Sequence, residues 1–443
     1  MGTTVVVGGG TSGLAAAYVL DRAGADYLAL EKCDFAGGRI YGVVREGFTL
    51  DLGAQFFYSR YNSTFDLMRR LGIDNTLVKF VKPMGMLRDG TVHILYPDLV
   101  ETLKHLPTMM KFGALSSRGK LRAVQMIMKL MTLGKKLDFD DPLKAIELDN
   151  VTLAEYARRH FGDEILEYII QPIASALTLG EPEEISAAYG LALAWYHIPG
   201  LSTTRKGMGY LAESLSKNVG NLKLRTEVTK IIIEDKQVKG VEFKKGGKKQ
   251  TVEADNVVCA TLAGQAAKIL PDLPGQMTDI LSGISYSACA HVMFATPRKL
   301  MGDLYAIGTP RREGLCTSGF TENSNKAPGY APPNTGLIHA FTFGKYAREM
   351  MEQSDDEIRE RVTHDIQMVI PTFPDEPIFC EIFRWPEAVC LSSPGQITAV
   401  QRLKVAAREY KGLHLVGEYF GMPSVEAAIN SGMKAAERIL QSS

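Results

Sequence analysis

Residues 8–13 read GGGTSG, a spacing of glycines that lets backbone wrap closely around a phosphate group. Gly8 allows a tight turn, Gly10 lets the chain approach a pyrophosphate, and Gly13 permits close packing of a helix on a strand. The N-terminus of that helix presents unpaired N–H groups to an anion. Glu31 follows about 20 residues beyond the motif, where a carboxylate accepts hydrogen bonds from an adenosine ribose. This chemistry is that of a dinucleotide site.

The elements around the motif have the order that such a site needs. Val5–Val7 is an apolar β-branched run typical of a buried parallel strand, and residues 12–23 are rich in Ala and Leu, as in a helix. A second apolar run, Tyr27–Leu30, ends directly before Glu31. Glu31 would repel a 2′-phosphate, which argues against NADP. The alternative is a glycine-rich turn followed by a solvent-exposed glutamate.

The composition limits the function classes. Lys plus Arg and Asp plus Glu number 50 each among 443 residues, so no overall field recruits nucleic acid. The six cysteines form no C-x-x-C pair, which favours free thiols in a reducing compartment and no metal site. We find no apolar span of about 20 residues and no signal peptide, and we therefore expect a cytoplasmic protein.

Two further segments extend the candidate site. AGGR at residues 36–39, followed by DLGAQ at residues 51–55, offers more backbone and a cation to the same pyrophosphate. Near the end of the chain, residues 413–416 read as a strand, Gly417 and Glu418 follow, and apolar residues recur at helical spacing from 424 to 440. The chain therefore predicts a second strand-loop-helix unit.

The combination of GGGTSGLAAAYVL, Glu31, AGGR, DLGAQ and GEYFGMPSVEAAINSGMKAAERIL resembles the flavin-dependent amine oxidase superfamily. LAEYARRHFGDE at residues 153–164 and FRWPEA at residues 383–388 are similar to its protoporphyrinogen oxidase branch, and that branch and the phytoene desaturases are the nearest in character. The resemblance implies an α/β protein, α+β overall, in which a Rossmann-like FAD-binding domain of the glutathione reductase type carries an inserted substrate domain of mixed sheet and helices. The implied FAD domain comprises residues 1–78, 205–280 and 395–443, and the substrate domain residues 79–204 and 281–394.

The resemblance also implies which residues hold FAD. Val228 matches a position whose backbone meets the adenine, while Gly417, Glu418 and Val425 match positions along the ribityl chain and the flavin edge. Phe56, Tyr419 and Phe420 are expected to line the substrate pocket. The full expected FAD set is Gly8, Gly10, Thr11, Ser12, Gly13, Glu31, Lys32, Gly37, Gly38, Arg39, Gly53, Ala54, Gln55, Val228, Trp385, Gly417, Glu418, Ser424 and Val425.

The sequence departs from the family at several positions. The Ser-Gly-Gly-Cys pattern that tethers flavin covalently in monoamine oxidases is missing, since residues 391–395 read LSSPG, and non-covalent FAD follows. The two aromatic rings that face the flavin in amine oxidases are expected near Pro394 and at Ser424, and neither is aromatic. His291 falls where many members carry a lysine at flavin N5. It is either a proton donor and acceptor or a structural histidine. Trp385 either packs against the flavin or belongs to the core.

A basic and apolar insert spans about residues 100–140, with no acidic residue between Glu101 and Asp138. One interpretation is an interfacial helix pair that rests on the inner face of a membrane and admits a lipophilic substrate. The other is an ordinary solvated helix pair whose methionines fill a core or pocket. Those methionines are Met109, Met110, Met126, Met128 and Met131.

From these observations we expect an FAD-dependent oxidoreductase, oxidase or dehydrogenase, that moves hydride from a largely apolar substrate to flavin N5. A porphyrinogen-like ring, a polyene or another isoprenoid is the first choice of substrate. One alternative is an amine oxidase acting on a C–N bond, and another is a flavin-dependent isomerase or a flavin-binding protein without net oxidation. The expected partner is a small lipophilic substrate, without nucleic acid or metal; the sequence leaves the oligomeric state open.

Overall fold

The computed structural model describes residues 2–96, 104–105, 111–198 and 200–442. A five-stranded parallel sheet joins segments from both ends and the middle of the chain. Its strands, in spatial order, are Leu222–Lys223, Tyr27–Leu30, Thr4–Val7, Asn256–Cys259 and Leu413–Leu415. The central strand Thr4–Val7 is buried throughout, which explains its continuous apolar run.

The first and last helices pack on this sheet. The helix Thr11–Arg22 follows the central strand, and the helix Val425–Gln441 packs against Thr11–Arg22. A side chain at Gly432 would place its Cβ 2.0 Å from the Ser12 carbonyl oxygen, so a glycine is needed where the two helices cross. The Ser12 hydroxyl also donates to the Ala428 carbonyl over 2.7 Å. The predicted Rossmann-like unit is confirmed, and the C-terminal helix completes it.

A seven-stranded mixed sheet forms the second large element. Its strands, in spatial order, are Phe379–Trp385, Cys289–Thr296, Gly336–Thr342, Thr317–Glu322, Ala306–Gly308, Met84–Arg88 and Thr91–Leu95. All neighbours are antiparallel except Ala306–Gly308 and Met84–Arg88, which are parallel. The strand Cys289–Thr296 is buried at every residue because one of its faces packs with the helix Asp355–Val369 and the other with the strand Phe48–Asp51. The predicted mixed sheet is therefore present.

The described residues also form three smaller sheets. One is an antiparallel sheet of Thr226–Glu234, Gln237–Lys245 and Lys248–Glu253, and another pairs Gly42–Arg45 with Phe48–Asp51. In a third, Leu201–Thr204 pairs with both Phe57–Tyr58 and Leu77–Phe80. The predicted boundary between the FAD domain and the substrate domain, after residue 78, falls inside the strand Leu77–Phe80. This third sheet therefore contains residues from both predicted domains. The proposed domain boundaries stay a prediction.

The remaining helices surround the sheets. Several begin at a residue whose side chain caps the first turn: Thr152 with Glu155, and Ser354 with Glu357, form reciprocal capping boxes. Among the described residues, the α-helices besides the two named above are Ser63–Arg70, Ser117–Leu133, Leu153–His160, Asp163–Ile165, Gln171–Thr178, Ala187–His197, Gly209–Lys217, Ala263–Ile269, Gly275–Gly283, Gly344–Met350, Asp355–Val369 and Gln396–Ala407. A π-helical turn, Leu166–Ile170, links two of them.

All six cysteines are free, and the described residues contain no group of three or more His, Cys, Asp or Glu arranged to hold a metal ion. Within the same described ranges, no helix is both long enough and apolar enough to span a membrane.

Candidate cofactor and substrate site

The helix Thr11–Arg22 begins within GGGTSG and has no side-chain cap. Gly10 is the N-cap, in an extended conformation, no side chain caps the helix, and its first turn contains no acidic residue. A Cβ on Gly10 would meet no atom within 4 Å, so the space before the helix is open. A Cβ on Gly13 would lie 1.9 Å from the Gly8 carbonyl oxygen, so that glycine serves packing. The open, uncapped N-terminus fits a pyrophosphate.

Glu31 stands beside this turn at the end of the second strand. Its Oε2 accepts from the Gly9 N–H over 2.5 Å, and its Oε1 accepts from the Cys33 N–H over 2.8 Å. These bonds fix the carboxylate and leave lone pairs for ribose hydroxyls. Burial, followed by the charge of Glu31, raises the pKa of the Cys33 thiol to about 11, so the thiol stays neutral. Lys32, between them, is exposed.

Val228 is brought to the same end of the site. The Arg225 N–H donates to the Cys33 carbonyl and the Thr226 N–H to the Glu31 carbonyl, at 2.9 and 2.8 Å. These bonds hold the beginning of the strand Thr226–Glu234 against Glu31. Val228 lies two residues further along and is 6% exposed. Val228 therefore lies near Glu31, and its contact with the adenine stays a prediction.

The second glycine pair packs against the first turn. Gly37 and Gly38 have φ values of +115° and +56°, which glycine adopts readily. The Gly37 N–H donates to the Gly9 carbonyl over 2.8 Å. Arg39 then forms an ion pair with Glu418 at 2.7 Å, which joins the two ends of the chain. Burial lowers the pKa of Arg39, but the charge and hydrogen bond of Glu418 together with the charges of Tyr286 and Cys390 outweigh burial, so the net pKa is raised and the guanidinium stays charged.

The turn at residues 51–55 is held from both sides. On one side the Ala54 N–H donates to the Arg39 carbonyl over 2.9 Å, and a Cβ on Gly53 would lie 2.1 Å from that same oxygen. On the other side the Leu52 carbonyl accepts from the Trp385 indole N–H over 2.7 Å. Residues 53–56 remain partly exposed between buried neighbours. The turn therefore offers backbone to a ligand while its ends are anchored.

The Gln55 side chain is saturated by protein contacts. Its Nε2 donates to the carbonyls of Asp51 and Gly53, each over 2.8 Å. Its Oε1 accepts from Lys326 Nζ over 2.8 Å and from Asn323 Nδ2 over 3.2 Å. The amide thus shapes the turn, and the groups the turn presents outward are those of its backbone.

A buried ion pair between Asp51 and Lys326 holds the first residue of the turn. Asp51 and Lys326 are both 0% exposed in their side chains, with Lys326 Nζ 3.1 Å from Asp51 Oδ2. The Tyr330 hydroxyl and the Met208 N–H also donate to Asp51, over 2.8 and 2.7 Å. Burial lowers the pKa of Lys326, and the charge of Asp51 opposes that effect. Sequence reasoning missed Lys326; the available signal was an acid, Asp51, at the end of an apolar strand, which requires a partner when buried.

His291 is part of the same buried polar network. It is 1% exposed, with Nδ1 2.9 Å from the Leu52 carbonyl oxygen and Nε2 3.0 Å from His339 Nδ1. Burial lowers its pKa to about 4, so the ring is neutral at physiological pH. Because a carbonyl only accepts, the neutral ring carries its proton on Nδ1 and accepts at Nε2. Both nitrogens therefore have protein partners; a catalytic role for His291 stays a prediction.

The C-terminal helix supplies the other end of the site. The Ser424 hydroxyl accepts from the Ala427 N–H over 3.1 Å and so caps the helix that begins at Val425. Glu426, which sequence reasoning did not single out, is 2% exposed and accepts from the backbone N–H groups of residues 62–64. It thereby caps the distant helix Ser63–Arg70. Gly417 has a φ of +149°, and a Cβ there would lie 2.7 Å from the Tyr419 ring.

The three expected pocket residues fall into two places. Phe56 is half-exposed and lies edge-to-face with Tyr58 and His197, at 5.3 and 6.3 Å between ring centroids. Tyr419 and Phe420 pack on each other at 4.7 Å and are 1% and 7% exposed. They belong to the hydrophobic cluster on one face of the parallel sheet, whereas Phe56 packs against the largest cluster, which includes the other face of that sheet. The structure thus brings Phe56, but not Tyr419 or Phe420, to a partly open face.

Fold and site together define a dinucleotide-binding protein with a second, mixed-sheet region. Residues 11–440 match the model of the flavin containing amine oxidoreductase family, and the chain belongs to that family. It is 24% identical to coproporphyrinogen III oxidase of Bacillus subtilis, over 98% of this chain and 97% of the relative. It is 22% identical to the chloroplastic protoporphyrinogen oxidase of Nicotiana tabacum, over 98% of this chain and 85% of the relative. The structure of wild-type putrescine oxidase bound to putrescine superposes with a TM-score of 0.79 at 18% identity, covering 99% of each chain.

These comparisons confirm the class of the protein. It is an FAD-dependent oxidoreductase with the fold of the flavin-dependent amine oxidases. The open N-terminus at Gly10, the fixed carboxylate of Glu31 and the charged Arg39 are the groups that fit the pyrophosphate and ribose of FAD. FAD supplies the redox chemistry, and the protein supplies binding, orientation and electrostatics.

Proposed function

We propose that this enzyme oxidises a largely apolar cyclic substrate of the porphyrinogen class, with hydride passing from a substrate C–H bond to FAD and the accompanying proton leaving to a base or to solvent. Bound FAD would supply the two-electron chemistry, and an external acceptor, oxygen or another oxidant, would take up the electrons. Isoprenoids and polyenes are the other largely apolar substrates that we propose. The coproporphyrinogen and protoporphyrinogen oxidases named above support this choice because the similarity extends over nearly the whole chain.

The observation that supports an apolar substrate is an aromatic face, a group of uncharged aromatic side chains directly after the turn at residues 51–55. Phe56 is its half-exposed member, with Tyr58 and His197 around it. Burial raises the pKa of Tyr58 and lowers the pKa of His197 to about 4, so both rings are neutral at physiological pH. Aromatic side chains of this kind favour a flat apolar ligand through area burial and ring stacking.

Further rings support this face from the protein interior, where Tyr58 and Phe139 are 5% and 0% exposed. Tyr58 is edge-to-face with Phe139 and Tyr196, and Phe139 and Tyr196 stack on each other with centroids 4.0 Å apart. By contrast, Ser424 stands at one of the two positions where an amine oxidase would carry an aromatic ring, and its hydroxyl is used as a helix cap. These contacts favour a large apolar substrate over a small amine.

Product analysis with purified holoenzyme tests the proposal. Porphyrinogens, polyenes and amines are supplied in turn, with and without an electron acceptor. We expect porphyrin formation that depends on the acceptor. Amine oxidation with no porphyrin formation would establish the amine alternative, and conversion of a substrate without any acceptor would establish an isomerase.

A further inference from the structure

The helix Ser117–Leu133 has two apolar faces. On one, Gly119 and Leu130 are buried, and Ala123, Met126 and Leu133 pack against or near the largest hydrophobic cluster. The other face is open to solvent and carries five large apolar side chains. They are Leu121, Val124, Ile127, Met128 and Met131, exposed by 61, 53, 47, 61 and 67%.

The exposed side chains form a single stripe. Their spacings of three and four residues place them on one side of an α-helix, opposite the residues that face the core. Among the described residues twelve large apolar side chains are exposed, and five of them belong to this one helix. A helix on the surface of a water-soluble protein needs only one apolar face. A second continuous stripe therefore marks a surface that contacts something else.

The surroundings of the stripe are basic. No acidic residue occurs between Glu101 and Asp138. Arg118 and Lys129 are exposed and lie eleven residues apart, three helical turns, so they flank the same side of the stripe. Lys135 is also exposed just beyond the helix. The surface thus combines exposed apolar area with positive charge.

We propose that this stripe docks on a bilayer surface that contains anionic lipid headgroups, with the apolar side chains below the headgroups and the basic side chains among them. Apolar burial and attraction to anionic lipid act together in such helices. A two-fold contact with a second copy fits less well. An isologous interface sets the same patch against itself and would bring the basic flanks of both copies together. The inference is independent of the substrate.

Vesicle sedimentation with the full-length holoenzyme tests this surface. Vesicles of phosphatidylcholine alone are compared with vesicles that also contain phosphatidylglycerol. We expect strong binding to the second kind only. The triple variant Leu121→Gln/Met128→Gln/Met131→Gln should lose binding at least tenfold while flavin absorbance and thermal stability are retained, because all three side chains are more than half exposed.

Matched variants distinguish binding through this stripe from nonspecific hydrophobic binding to vesicles. Met368→Gln/Val405→Gln removes apolar side chains that are 57 and 54% exposed on other helices, and it should bind like the wild type. Arg118→Gln/Lys129→Gln should weaken binding to the anionic vesicles by about fivefold per charge removed.

Three results would overturn the proposal. The first is no sedimentation with anionic vesicles. The second is an equal loss of binding in the Met368/Val405 control variant. The third is a concentration-dependent dimer, seen by light scattering, that the triple variant abolishes, since it would assign the stripe to contact between copies.

Discussion

Replacing Lys326 by Met should remove the ion pair and the hydrogen bond that hold the turn at residues 51–55. The change removes the ammonium that faces Asp51 at 3.1 Å, in a pair whose side chains are both 0% exposed. Breaking a buried ion pair from one side costs about 3–5 kcal/mol, because the remaining charge is left buried and uncompensated. Asp51 keeps its bonds from Tyr330 and Met208, which places the expected loss toward the lower end of that range.

The same change should weaken FAD binding. Lys326 also donates to Gln55 Oε1, one of four hydrogen bonds that fix the amide and with it the turn. We expect the FAD dissociation constant of Lys326→Met to rise at least tenfold, about 1.4 kcal/mol. Urea unfolding of the apoprotein and titration of apoprotein with FAD, followed by flavin fluorescence, measure the two effects separately.

Two controls make the test decisive. Lys236→Met removes the partner of Glu409 in an exposed ion pair, with side chains 59 and 63% exposed, and should cost less than about 1 kcal/mol. Asp51→Asn/Lys326→Met removes both charges and should recover most of the lost stability. A Lys326→Met protein within 1 kcal/mol of wild type, or a double variant less stable than either single variant, would refute the reasoning.

Three further predictions concern the cofactor turn, the buried histidine and the aromatic face. Gly10→Val should leave the fold intact, because a Cβ there meets no atom within 4 Å, yet lower FAD affinity more than tenfold; Gly13→Ala should destabilise the apoprotein, since its Cβ would lie 1.9 Å from a carbonyl oxygen. Urea unfolding and FAD titration distinguish them. His291 has a pKa of about 4 when folded against an ordinary 6.5, so the unfolded chain takes up its proton first and stability falls as the pH drops from 6.5 toward 4. In His291→Gln that fall should be smaller by about 1.4 kcal/mol per pH unit, measured by unfolding across this window. Phe56→Asp should raise KM for a porphyrinogen at least tenfold with the FAD content unchanged, measured by steady-state kinetics. An unaltered KM would show that Phe56 does not contact the substrate.

The sequence predicted the local parts of the site and not their long-range supports. The glycine turn, the strand before it and Glu31 follow from a few neighbouring residues, whose spacing restricts what the backbone can do. The partnership of Asp51 with Lys326 joins residues 275 positions apart, and no local pattern selects that lysine among the many in the chain. Glu426 is a similar case, because it caps a helix more than 360 residues earlier.

Helix orientation was also beyond local reasoning. The composition of residues 117–133 predicted a basic apolar helix, but only packing decides which face is covered. Met126 packs against the core, while Met128 and Met131 lie on the open face. The interpretation in which all the methionines fill a core or pocket therefore fails for these two, and Met109 and Met110 lie outside the described residues.

Anaerobic mixing of the holoenzyme with coproporphyrinogen III, protoporphyrinogen and putrescine, followed by flavin absorbance, tests the proposed substrate class most directly. We expect a porphyrinogen to bleach the flavin rapidly and putrescine to leave it oxidised. The rate at which colour returns in air then separates an oxidase from a dehydrogenase. Rapid bleaching by putrescine and none by either porphyrinogen would contradict the proposed function.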